Sequence, residues 1–133
     1  YKTVALAPEA GSEELRFRIG KRVCDDQIIE AVSTLARNGI RHFKLYFIVG
    51  LPSETEEDLR GIVNLAKRCQ QAALSAAREQ HEFRVAPTLY LSVNPFIPKA
   101  WTPFQRHPFL PFKEVKRRIE VVKKGIGRIP NVE

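Results

Sequence analysis

Methionine is absent from the 133 residues, and cysteine occurs only at Cys24 and Cys69. Standing 45 positions apart with no cysteine or histidine beside either, they match neither a zinc-ligand spacing nor a disulfide framework. They read as packed or surface thiols in a reducing cytoplasm. No apolar run approaches the ~20 residues that cross a bilayer, and no charged, apolar, small-residue leader stands at the front, so no membrane segment is expected. GLPSET lacks the Gly-Lys-Ser/Thr ending of a phosphate loop, and no G-x-G-x-x-G follows a strand, which disfavours nucleotide hydrolysis and dinucleotide binding. His42, His81 and His107 fall in different segments without a carboxylate at zinc-like or triad-like spacing, and read as surface or loop residues.

What is present has the balance of one ordinary globular domain over residues 1–133: 44% hydrophobic and 28% charged residues. The chain opens almost inside an apolar run and without a methionine, so it reads as a piece of something longer. The formal net charge is +7, and much of the excess lies in KEVKRRIEVVKKGIGR near the end. A basic helix attracts phosphate backbones, so an RNA partner is one reading of it and a solvated helix face is the other.

The hydrophobic pattern alternates between strands and helices. Thr3 to Ala7 is expected as a short strand broken at Pro8. Ser12, followed by Glu13 and Glu14, suits a helix N-cap, with the helix stopping at Gly20. Ile28, Ile29, Val32, Leu35 and Ala36 recur at helical spacing, and Asn38-Gly39 ends that helix. Phe43 to Val49 shows no strict alternation and is expected as a parallel strand covered on both faces. A capping box of Ser53 with Glu56, or Thr55 with Asp58, opens a long helix reaching about Glu79. VAPTLYLSVNPF supplies a third strand. The proline-rich loop 95–111 follows, and then a basic helix, 112–127, with Val115, Ile119, Val122 and Ile126 facing inward. Strands joined through long helices imply parallel pairing by right-handed crossovers, an α/β fold that is either a small open layer or part of a (β/α) barrel.

Ligands of parallel α/β folds bind at the carboxyl ends of the strands. Three loops stand there: APEAGSEE, VGLPSETEED and VNPFIPKAWTPFQ. Glu9 is placed to accept hydrogen bonds from ligand hydroxyls, Ser12 to cap a helix, and Gly50 to let a flat ring lie across the strand end. Glu54 fits two roles, orienting a ligand amine or loop backbone, or serving as a first-turn acid favoured by the helix dipole.

Taken together, APEAGSEELR, KLYFIVGLPSETEEDL and SVNPFIPKAWTPFQ resemble the C-terminal half of the radical S-adenosylmethionine (radical SAM) core, of the bacterial Fe-S oxidoreductase type, and more distantly the methylthiotransferases. The resemblance covers nearly the whole chain and implies a partial (β/α)6 barrel in which the three strands are the fourth, fifth and sixth. It implies that Glu9 and Ser12 lie where the family places polar groups for the SAM ribose or carboxylate. Ile48, Gly50 and Glu54 fall on its strand-and-loop motif for adenine contact, although Tyr46 stands where the family has a glycine. Val93, Asn94, Pro95 and Phe96 would complete the adenine pocket through backbone groups and apolar surface. The resemblance implies SAM and a [4Fe-4S] cluster as cofactors of the parent protein, yet the family's Cys-x-x-x-Cys-x-x-Cys triplet is missing from this chain.

Two readings follow. In the first, the chain is a fragment of a radical SAM oxidoreductase or transferase that supplies SAM-binding loops and is inactive alone. The missing N-terminal half of the barrel is its partner, and open strand edges promote self-association of the fragment. In the second, it is a non-catalytic RNA-binding module using Lys113, Lys116, Arg117, Arg118, Lys123, Lys124 and Arg128.

Overall fold

The computed structural model describes residues 2–80, 85–97 and 110–133. His81, His107 and most of the proline-rich loop lie outside the described residues. The elements run β1 (Thr3–Glu9), α1 (Glu13–Arg18), α2 (Asp25–Arg37), β2 (His42–Val49), α3 (Glu56–Arg78), β3 (Thr88–Pro95) and α4 (Phe112–Ile126). The three strands form one parallel sheet in the order β1-β2-β3. This is an open α/β sheet of parallel strands alternating with helices, consistent with a partial barrel.

The helix starts follow the chemistry of their first turns. Ser12 accepts the Leu15 N–H at 3.1 Å and caps α1. Of the two capping boxes open to α3, Thr55 with Asp58 forms: Asp58 Oδ2 accepts the Thr55 N–H at 2.8 Å and Thr55 Oγ1 accepts the Asp58 N–H. At α2 the backbone N–H of Cys24 donates to Gln27 Oε1 at 3.0 Å.

β2 corrects the expectation of a strand covered on both faces. Phe43, Leu45, Phe47 and Val49 are fully buried, whereas His42, Lys44, Tyr46 and Ile48 are not. The buried set meets Ile28, Val32 and Ala36 of α2, Leu59, Ile62, Leu65 and Ala66 of α3, and Val122 and Ile126 of α4 in one core. At about 1.5–3 kcal/mol per large apolar side chain, this face fixes the register, since a one-residue slip would turn four buried side chains outward. All the helices of that core lie on one side of the sheet. The other side shows Thr3 and Ala5 of β1, then His42, Lys44 and Tyr46, then Tyr90 and Ser92 of β3, in matched register.

β1 runs two residues beyond its expected end, through Pro8 to Glu9, because the ladder shifts between Leu6 and Glu9. Such a bulge tolerates a proline that has no N–H to give. The outer edge of β3 is partly covered, because Leu89 and Leu91 donate to the carbonyls of Asn131 and Glu133 at 2.9 and 2.7 Å.

Candidate functional site

The bulge in β1 sets Glu9 at φ 68°, the left-handed region that non-glycine residues occupy at a cost of about 1–3 kcal/mol. The Ala10 N–H closes a tight turn onto Pro8 O at 2.8 Å. The half-buried Glu9 carboxylate makes no hydrogen bond or ion pair to the described residues. Strain, a bulge and an uncommitted acid thus coincide at one strand end.

Ser12 is committed. Besides capping α1, its hydroxyl donates to Asp58 Oδ1 at 2.6 Å, tying the loop after β1 to the first turn of α3. The backbones meet closely there: a Cβ on Gly11 would stand 2.0 Å from Asp58 O, and one on Gly61 would stand 2.3 Å from Gly11 O. Only two glycines allow that approach.

At the end of β2, Gly50 takes φ 87° and its N–H donates to Glu54 Oε1 at 2.8 Å. Glu54 is buried, and the same oxygen accepts from Arg118 Nη1 of α4 at 2.8 Å. Burial pushes the Glu54 carboxyl above its ordinary value, opposed by the Gly50 N–H and then by Arg118. Of its two roles, orienting loop backbone is the one this geometry displays. The space a Gly50 side chain would need is taken by Leu110, 3.2 Å from the Cβ position, with Phe96 at 3.8 Å.

Ile48 and Phe96 pack with Ala10, Leu15 and Leu51 in a small cluster at the carboxyl end of the sheet, separate from the main core. Three of the loops chosen from sequence therefore meet there. Asn94 is the register partner of Ile48 on the open face, and its amide donates to Ser92 Oγ at 3.2 Å. Pro95 is exposed beside it. Val93 stands apart from these, because its side chain packs against the main core. Beyond Phe96, an apolar groove of about 560 Å³ runs between the ends of β2 and β3 and the first turns of α4, lined by Val49, Gly50, Ile97, Leu110, Val115 and Ile119.

Arg16 and Arg118 were not legible as organisers of these loops. Arg16 is fully buried in α1, donating to Ala10 O at 3.0 Å and Val23 O at 2.8 Å and pairing with Asp25. Arg118 pairs with Glu54 and Glu114, while Arg117 pairs with Glu56 and Glu114. Two of the seven cations assigned to RNA in the second reading are thereby engaged, whereas Lys113, Lys116, Lys123, Lys124 and Arg128 are exposed. The signal for the engaged pair was the acidic run Glu54–Glu56, which needs cations nearby.

The match to known proteins bears on the half of the chain that holds β1, β2 and their loops. Residues 1–66 match the Radical SAM superfamily. That matched stretch carries the bulge, the Gly50 turn and the Glu54 loop. An uncharacterized protein of Methanocaldococcus jannaschii is 36% identical over 127 residues, covering 96% of this chain and 25% of that protein. The chain thus spans about a quarter of the length of the curated relative it matches. No solved structure matches the chain. The radical SAM superfamily implies SAM and an iron-sulfur cluster in a parent protein.

The residues present do not fit the cluster. Among the described residues no three His, Cys, Asp or Glu side chains gather to hold a metal. Cys24 and Cys69 are both free, and burial pushes the Cys69 thiol up to about 12, far from the thiolate that iron requires. The Ile48–Phe96 patch and the uncommitted Glu9 do fit a nucleoside, offering apolar surface for a base and an acceptor for hydroxyls. No helix among the described residues is long and apolar enough to cross a membrane.

Proposed function

We propose that this chain is the C-terminal part of a radical SAM (β/α)6 barrel, contributes the SAM-binding strand ends of an oxidoreductase or transferase, and is inactive alone. The observation that carries this reading is the convergence of Ala10, Leu51 and Phe96, one from each strand-end loop, with Ile48 of β2 into one small cluster, of which Ala10, Ile48 and Leu51 fall within the residues 1–66 that match the superfamily. When bound in the parent protein, SAM supplies a reductively cleavable sulfonium.

This chain's residues bind and orient. Ile48 and Phe96 offer apolar faces to the adenine, with backbone groups of Val93, Asn94 and Pro95 along its edge. The Glu9 carboxylate accepts from ribose hydroxyls, its backbone already held in the strained turn. Ser12 acts through Asp58 to fix the first loop, and Glu54 acts through the Gly50 N–H to fix the second. Arg118 holds Glu54 from behind and makes α4 a brace for the pocket.

The test is reductive cleavage of SAM under anaerobic, iron- and sulfide-reconstituted conditions by a longer protein containing this chain, beside residues 1–133 alone. The reading expects 5′-deoxyadenosine from the first and none from the second. No cleavage by a cluster-loaded longer protein would overturn it.

A further inference from the structure

The side of the sheet opposite α2, α3 and α4 has a charge pattern of its own. Lys44 stands near the middle of it, with Ala5 as its partner on β1 and Tyr90 on β3. Its Nζ lies 5.1 Å from the centroid of the Tyr46 ring, two residues further toward the carboxyl end of the same strand. The ammonium therefore leans up the strand, toward Ile48 and the nucleoside patch. The ring is its partner, and among the described residues no carboxylate pairs with it. A cation over an aromatic face gains about 0.5–2 kcal/mol, too little to replace the hydration that a half-buried ammonium gives up, so it retains capacity for an anion.

The neighbours suit that role. Ala5 is small and leaves room over the ammonium on one side. Tyr90 and Ser92, the register partners of Lys44 and Tyr46, carry hydroxyls on the same face, the Tyr90 ring stacked on His42 and the Ser92 hydroxyl accepting from Asn94. Among Thr3, Ala5, His42, Lys44, Tyr46, Tyr90 and Ser92 on this face there is no acidic residue to repel an anion, and the acid of β1, Glu9, lies beyond the bulge as the register partner of Phe47. Tyr46, 37% exposed, presents a flat surface between the cation and Ile48.

Resting on the reading above, we infer that the open face is the substrate wall, and that it takes a small substrate bearing a carboxylate or phosphate. The anion sits on Lys44 with Tyr90 and Ser92, and the body of the molecule lies along Tyr46 toward Ile48.

The experiment is calorimetric titration of a longer protein containing this chain with malonate and with pyrophosphate, which separates the carboxylate and phosphate sources. At least one probe binds saturably. Lys44→Gln weakens it about tenfold or more, Lys44→Arg keeps it within a few-fold, and Lys123→Gln on α4 leaves it unchanged. If Lys44→Gln does not fold, Tyr46→Ala at the exposed ring takes its place, with the same loss expected.

No binding of either probe overturns the inference, as does equal binding by Lys44→Gln. Displacement of the probe by SAM also overturns it, because the anion site would then belong to SAM's own carboxylate. SAM binding that survives in Lys44→Gln while no probe binds wild type leaves the cofactor reading intact and sinks this one alone. Probe binding to a protein that does not bind SAM sinks the cofactor reading.

Discussion

Arg118 donates to Glu54 at 2.8 Å across 64 positions of sequence, and so fastens the loop after β2 to α4. The Glu54 side chain is fully buried and that of Arg118 is 15% exposed. Glu54→Ala removes the acceptor for both Arg118 and the Gly50 N–H. A hydrogen bond to a charged group contributes about 1.5–3 kcal/mol, so urea denaturation is expected to show a loss in that range. Glu54→Gln keeps an acceptor for Gly50 and is expected to lose less than Glu54→Ala.

Two glutamates on this brace respond to pH with opposite signs. Arg117, and then Arg118, hold the Glu114 carboxyl down at about 2 by hydrogen bonding. Its contribution is present above the ordinary value of 4.5 and is lost as pH falls from there toward about 2. Burial raises Glu54, so its contribution is full below the ordinary value and is lost as pH rises through its raised pKa. Stability measured across these ranges should show a shallower acid limb in Glu114→Gln than in wild type. The gap between wild type and Glu54→Gln should widen as pH falls from neutrality toward 4.5.

Gly11→Ala should be among the most damaging single substitutions in the chain. The new Cβ would stand 2.0 Å from Asp58 O and 2.6 Å from Ile62 N, both backbone atoms that cannot swing aside. A loss of about 3 kcal/mol or more is expected, against about 1 kcal/mol for Gly39→Ala, which meets nothing within 4 Å and suffers only from its φ of 97°. Thermal melts of the two variants, compared side by side, check this ranking.

The thiols should behave differently. Cys69 is fully buried and its thiol is pushed up to about 12, whereas Cys24 is half-buried at the start of α2. Ellman's reagent at pH 8 should titrate one thiol quickly and the second only on addition of denaturant. Two fast thiols in the native protein would contradict the packing of α3.

Much of the architecture was legible because periodicity reports burial directly. The spacing of Ile28, Val32 and Ala36, and of Leu59, Ile62 and Ala66, faces the core as expected. The exposed face of β2 was not legible. Tyr46 and Ile48 look apolar in sequence, and only the placement of α2, α3 and α4 on one side reveals that they face the other. The extension of β1 was hidden by Pro8, which ordinarily ends a strand and here sits in a bulge. Ser12 was legible as a cap from its neighbours, while its bond to Asp58 depended on the two glycines 50 positions apart. The engagement of Arg117 and Arg118 was masked by the surrounding lysines, since composition does not say which cation turns inward.

The most direct test of the nucleoside patch is the affinity for SAM of a longer protein containing this chain, measured by equilibrium titration for wild type, Ile48→Ala and Phe96→Ala. Both side chains sit in the small strand-end cluster rather than in the main core, so folding should survive their truncation. Each substitution should weaken binding about tenfold or more, the equivalent of ~1.4 kcal/mol of lost apolar contact. SAM affinity unchanged in both variants would contradict the account.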